Sequence, residues 1–150
     1  MKRVIMRKLI IAFVFCVLLF GATSAVADEL VVSDNLFVPR AIVASDMKIM
    51  DSTRWVMGTI DMKGFVFDAE NNNIGMIKMI GDEAIVRDVH YVILADVDED
   101  GKMTGPDGEV MGHVTDTRVT DADGRVLLRL KGPMQRRGLI VYLIFFSEKF

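Results

Sequence analysis

The residues with the clearest chemical spacing lie between positions 96 and 107: Asp96, Asp98, Asp100, Gly101, Lys102, Thr104 and Asp107. Carboxylates at loop positions 1, 3 and 5, glycine at 6, an apolar residue at 8 and a carboxylate at 12 follow the spacing of a calcium-binding loop. In such a loop hard oxygens wrap one ion, glycine permits the sharp turn, and the residue at 7 offers its carbonyl. Asp96, Asp98, Asp100, Lys102, Thr104 and Asp107 are therefore the candidate metal ligands, and Ca2+ is the one cofactor for which the sequence makes a case. The segment departs from an EF-hand. Position 12 is Asp rather than the longer Glu, His90 to Leu94 reads as strand, and Pro106-Asp107-Gly108 reads as turn. An acidic turn between two strands accounts for the same residues without a metal. A bound ion would be held weakly, with Kd on the order of 10⁻⁴ to 10⁻³ M, as in extracellular modules.

Catalytic chemistry finds no comparable pattern, and no catalytic residue is assigned. The chain has two histidines, His90 and His113, without the close spacing of a zinc site. Asp51, Asp68, Asp88 and Asp121 recur at one register and would form a carboxylate ring in a symmetric fold, but turn-forming aspartates explain them equally well. Arg136 and Arg137 follow Gly132-Pro133 and read as a solvated basic turn. Trp55 and Tyr91 are too few for a sugar-stacking platform.

The amino terminus reads as a secretory signal peptide over residues 1–27. Lys2, Arg3, Arg7 and Lys8 precede an apolar run from Leu9 to Phe20, and Ala25-Val26-Ala27 offers the small residues a signal peptidase requires. The run is short of the roughly 20 residues a spanning helix needs. Phe15, rather than a small residue, precedes Cys16, which argues against a lipid anchor. Removing four basic and no acidic residues takes the formal charge from −3 to −7 and discards the only cysteine. The expected mature chain, residues 28–150, is thus acidic and disulfide-free, exported to the periplasm or secreted, and a poor partner for nucleic acid.

Stepping along the chain, one pattern recurs: an apolar residue, Asp two later, a polar turn, a small residue at +9 and an apolar residue at +11. Ile49, Asp51, Gly58 and Ile60 fit it, as do Val66, Asp68, Gly75 and Ile77, and Val86, Asp88, Ala95 and Val97. Met103, Gly105, Gly112 and Val114 substitute Gly for Asp. Val119, Asp121, Leu128 and Leu130 substitute Leu for the small residue. These five units occupy residues 49–131. Val32, Asp34, Ala41 and Val43 keep the spacing as a weaker sixth, with Arg40 where the others carry an apolar residue. A period near 17 residues accommodates two short strands and two turns, hence one antiparallel hairpin per unit. Small residues at +9 imply close approach around a narrow axis. The rival architecture is a parallel β-helix, whose rungs have comparable length.

Val66-Phe67-Asp68-Ala69-Glu70-Asn71-Asn72-Asn73-Ile74-Gly75-Met76-Ile77 resembles the repeat of the bacterial exported proteins described as five-fold β-flowers, and the resemblance extends over Lys48 to Lys131. It implies an all-β fold of short antiparallel hairpins set as petals about a pseudo-five-fold axis, and it carries no activity with it.

Leu139 to Phe146 is a continuous apolar run, rich in β-branched and aromatic residues, that reads as a buried strand closing the repeat domain, with a short helix as the alternative. The terminal Phe150, with Phe146, Ile144 and Tyr142 alternating upstream, is also the ending of an outer-membrane barrel. Glu148 breaks that alternation, and the repeat units are too short for spanning strands of roughly 9–11 residues. The expectation from the sequence is a non-catalytic structural or binding module with an unidentified envelope or extracellular partner. A calcium-binding repeat protein and an outer-membrane-associated β protein are the alternatives; membrane association is compatible with the sequence but not required by it.

Overall fold

The computed structural model describes residues 28–150; the expected signal peptide, with Cys16, lies outside the described residues. Twelve strands follow in order: β1 (Glu29–Asp34), β2 (Pro39–Ala44), β3 (Lys48–Asp51), β4 (Val56–Ile60), β5 (Phe65–Asp68) and β6 (Asn73–Ile80), then β7 (Glu83–Asp88), β8 (Ile93–Val97), β9 (Lys102–Thr104), β10 (Val110–Val114), β11 (Arg118–Asp121) and β12 (Val126–Lys131). Alternation makes these strands. In β1, Leu30, Val32 and Asp34 are buried while Glu29, Val31 and Ser33 face outward.

Each strand pairs antiparallel with its sequence neighbours, and β1 pairs with both β2 and β12, so the sheet closes into a barrel without edges. Every pair is antiparallel, which excludes the parallel β-helix for the described residues. The five-fold expectation is also corrected. Twelve strands make six hairpins, because the weak unit at Val32–Val43 forms β1 and β2 and closure runs through it.

The +0 and +9 residues are cross-strand partners in all six hairpins: Val32 with Ala41, Ile49 with Gly58, Val66 with Gly75, Val86 with Ala95, Met103 with Gly112, and Val119 with Leu128. A register shift beside this pair marks a β-bulge in each hairpin, and such bulges bend strands and strengthen their twist. The +0 residues are all fully buried, and the +11 residues (Val43, Ile60, Ile77, Val97, Val114 and Leu130) are all in the core.

Eight strands leave an interior that side chains alone fill; twelve enclose more. The C-terminal segment occupies that space. It is not the expected strand. Helix α1 (Arg136–Val141) runs into a π-helical turn (Tyr142–Phe146) closed by Ser147 N–H donating to the Tyr142 carbonyl at 2.8 Å. Leu139, Ile140, Val141 and Leu143 are 0 % exposed. A helix surrounded by wall on every side has no polar face, so its sequence lacks the usual helical alternation. Arg136 fixes its start, donating to the Asp82 and Asp98 carbonyls at 2.7 and 2.8 Å.

The +9 glycines show the expected close backbone approach, between neighbouring strands, and a second constraint from the central segment. A β-carbon on Gly58, Gly75 or Gly112 would collide with the carbonyl oxygen of Phe67, Arg87 or Thr120 on the next strand, and would also meet the Phe146, Phe145 or Phe150 ring. The wall omits side chains where a neighbouring strand's backbone and the rings of the C-terminal segment both press on it.

Candidate functional site

Because the strands run up and down, the turns divide between two rims. The odd-to-even turns (β1–β2, β3–β4 and onward) form what we call the upper rim, and the even-to-odd turns form the lower rim. The acidic segment 96–107 is split between them. Asp98 and Asp100 lie in the lower-rim turn between β8 and β9. Asp107 lies in the upper-rim turn between β9 and β10, with the three residues of β9 between. Asp96 and Thr104 are cross-strand neighbours on the wall. The Asp98 carboxylate accepts the Lys102 backbone N–H at 2.9 Å and so caps its own turn. The two turns are about 10 Å apart at the usual rise of a strand, so the twelve residues do not form one ligand shell of the EF-hand kind. Among the described residues, no group of three or more His, Asp or Glu side chains is placed to hold a metal ion. His90 sits in an upper-rim turn and His113 on the wall strand β10.

The recurrent aspartates cap turns rather than meeting in a ring. In five of the six upper-rim loops, the loop-opening Asp accepts backbone N–H groups two and four residues on. Asp34 takes Leu36 and Val38, both at 2.9 Å, and Asp51 takes Thr53 and Trp55 at 2.8 and 3.0 Å. Asp68, Asp88 and Asp121 repeat the arrangement. At Asp34, Asp51 and Asp68 these bonds favour the ionised carboxylate. The Val38 N–H, helped by Arg40 and opposed by burial, holds Asp34 below its ordinary pKa. The Thr53 hydroxyl and then the Trp55 N–H do so for Asp51, and the Asn72 backbone and side-chain amides for Asp68.

This cap fixes the loop so that the third residue after the opener takes a left-handed backbone. Gly108 and Gly124 fill that position in two upper-rim loops. In the other four it is Phe37 (φ 64°), Arg54 (69°), Asn71 (66°) and Tyr91 (64°). Asn tolerates this conformation; for bulky side chains it costs on the order of 1 kcal/mol each. The sequence reading of His90–Leu94 as strand is corrected here, since β8 begins at Ile93 and Tyr91 is a loop tip.

The same rim concentrates apolar surface. Of eleven exposed large apolar side chains among the described residues, nine stand at the upper rim: Leu36, Phe37, Val38, Trp55, Val89, Tyr91, Val92, Ile93 and Val110. Only Met62 and Ile80 belong to the lower rim. Trp55 is 73 % and Tyr91 64 % exposed. Sequence reasoning passed over Leu36, Phe37 and Val89 altogether. For Phe37 the signal available was a bulky residue at the loop position where sister loops carry Gly108 and Gly124; Leu36 and Val89 carried none.

The chain matches no family model, no curated protein and no solved structure.

Proposed function

We propose that the chain is a non-catalytic binding module that docks on an envelope or extracellular partner through the upper rim of its barrel. One observation carries this reading: among the described residues nine of the eleven exposed large apolar side chains gather on this rim, where Phe37, Arg54 and Tyr91 also hold left-handed loop positions, against Met47 alone of the bulky residues on the lower rim. Arg54 and Phe37 have local partners in Glu29 and Arg129, but the Tyr91 ring stands 64 % exposed on a left-handed backbone, and strain kept at an exposed tip points to use. Trp and Tyr suit docking because each offers a large rigid apolar face with a polar handle. In this reading the six hairpins are copies of one unit about the barrel axis, the barrel and its central helix are the rigid support, and loop variation supplies recognition.

Docking fits better than spanning a membrane. The strands are three to eight residues long, and the apolar side chains line the interior, whereas a transmembrane barrel presents its apolar band outward on longer strands.

The test uses the mature chain and a Trp55→Ser/Tyr91→Gly variant, each immobilised and exposed to envelope extract of the producing cell. A partner retained by the first and lost by the second, at equal melting temperature, supports the reading. Equal retention by both overturns it.

A further inference from the structure

The barrel seam holds a second surface feature that the upper rim does not explain. A groove of about 780 Å³ runs along the outer wall where β1 meets β12, lined by Val31, Ser33, Phe37, Pro39, Arg129 and Lys131 among others. Its size lies in the range of small-molecule sites. Its charge is the unusual part. Arg129 is the cross-strand partner of Ser33 on one side and of Arg118 on the other. Like charges directly opposed on a sheet are destabilising, and this pair persists in a chain with more acidic than basic residues.

No carboxylate compensates them. The ion pairs among the described residues join Arg40 to Asp34, Lys48 to Asp46 and Arg54 to Glu29, leaving Arg118, Arg129 and Lys131 without one. Glu29 lines the groove, but Arg54 holds both its oxygens at 2.8 and 3.0 Å. The guanidinium carbon of Arg129 lies 4.4 Å from the centre of the Phe37 ring, and its buried Nε has no hydrogen-bond partner. Phe37 is one of the residues held at positive φ, so a strained loop tip lays an aromatic ring over an uncompensated cation.

We propose that this groove binds a small amphipathic anion, a carboxylate or phosphate head on an apolar body. Arg129 supplies the planar fork that pairs bidentately with such a head, Lys131 and Arg118 add positive potential, and the Ser33 hydroxyl can donate a further bond. Val31, Phe37 and Pro39 give the apolar body its contact.

Calorimetry on the mature chain with decanoate, decyl phosphate, decanol and acetate separates the contributions. Decanoate or decyl phosphate, or both, bind; decanol binds at least tenfold more weakly and acetate gives no heat. Which anion binds tighter identifies the head group. Arg129→Gln weakens binding at least tenfold and Arg129→Lys does not restore it, because a lysine lacks the fork. Should Arg129→Gln fail to fold, Lys131→Met combined with Arg118→Gln provides the charge test. The rim variant Trp55→Ser/Tyr91→Gly retains decanoate binding, which separates this site from the docking rim. Equal binding of decanol and decanoate, no heat from either anion at millimolar concentration, or binding indifferent to the loss of these cations overturns the proposal, as does loss of binding in the rim variant alone.

Discussion

Replacing Leu143 with Ala probes the load carried by the central segment. Leu143 is 0 % exposed in the π-helical turn at the middle of the barrel. The substitution removes three carbons, about 2.4 kcal/mol of transfer free energy at ~0.8 kcal/mol per methylene. A barrel wall locked by hydrogen bonds on both edges of every strand collapses little into the space, so a cavity contribution adds to this and the total is about 3–4 kcal/mol. The described chain spans 123 residues (28–150). At about 2.1 cal/mol/K of unfolding entropy per residue, each kcal/mol lowers Tm by about 4 °C, which gives a fall of roughly 12–16 °C. Thermal unfolding followed by circular dichroism, with calorimetry to check two-state behaviour, measures it. Met62→Ala, at a lower-rim side chain that is 99 % exposed, is the control and shifts Tm by no more than about 2 °C. A Leu143→Ala shift as small as the control's would refute the placement of this segment in the core.

Three further outcomes follow from the same geometry. Gly58→Ala and Phe146→Ala are coupled, because the Phe146 ring is the group nearest the missing β-carbon, with the Phe67 carbonyl oxygen next at 2.7 Å; their double mutant loses less stability than the sum of the singles, by about 0.5 kcal/mol or more, and additivity in denaturant titrations would contradict the contact. Asp34, Asp51 and Asp68 all have pKa values lowered in the fold from an ordinary 3.8. Their contribution is therefore complete above that value and lost as pH falls below it, so Tm is flat with respect to these groups above about pH 5 and drops below about pH 4; the Asp→Asn triple variant shows a shallower acid limb, and an unchanged limb would remove the capping explanation. Finally, Asp98 caps its own turn while Asp107 stands at the opposite rim, so millimolar calcium is expected to shift Tm equally in the wild type and in Asp107→Asn; a stabilisation abolished by Asp107→Asn would restore the single-loop calcium reading.

The hairpin register was legible because turn chemistry fixes loop length locally. An Asp that bonds two N–H groups ahead commits the next four residues, and the +0 to +9 pairing follows in five hairpins; in the sixth, backbone bonds between Gly105, Gly108 and Glu109 hold the same loop length without it. Arg40 obscures the first unit because it stands where the other units carry an apolar residue. It is 56 % exposed at the side chain and bonds Asp34 at 2.7 Å, reinforcing the turn instead of disrupting it. Barrel closure was not legible, since pairing of β1 with β12 joins residues about a hundred positions apart and leaves no local trace. The central helix was misread for a related reason. Leu139 to Phe146 is apolar all round because the wall surrounds it, and a run without periodicity cannot declare helix or strand. The acidic segment had the right residue types, but spacing along the chain does not reveal that a strand separates Asp98 from Asp107. The rim was hidden because Tyr91 lies within His90–Leu94, which reads as strand, until the loop places it at a tip.

The docking account rests on which end of the barrel meets a partner. A photo-cross-linking side chain placed at position 55 or 91 on the upper rim, and at 62 or 80 on the lower rim, reads this directly in the producing cell. The account predicts one discrete adduct from positions 55 and 91 and none from 62 or 80. Adducts of equal yield from both rims, or only from positions 62 and 80, would contradict it.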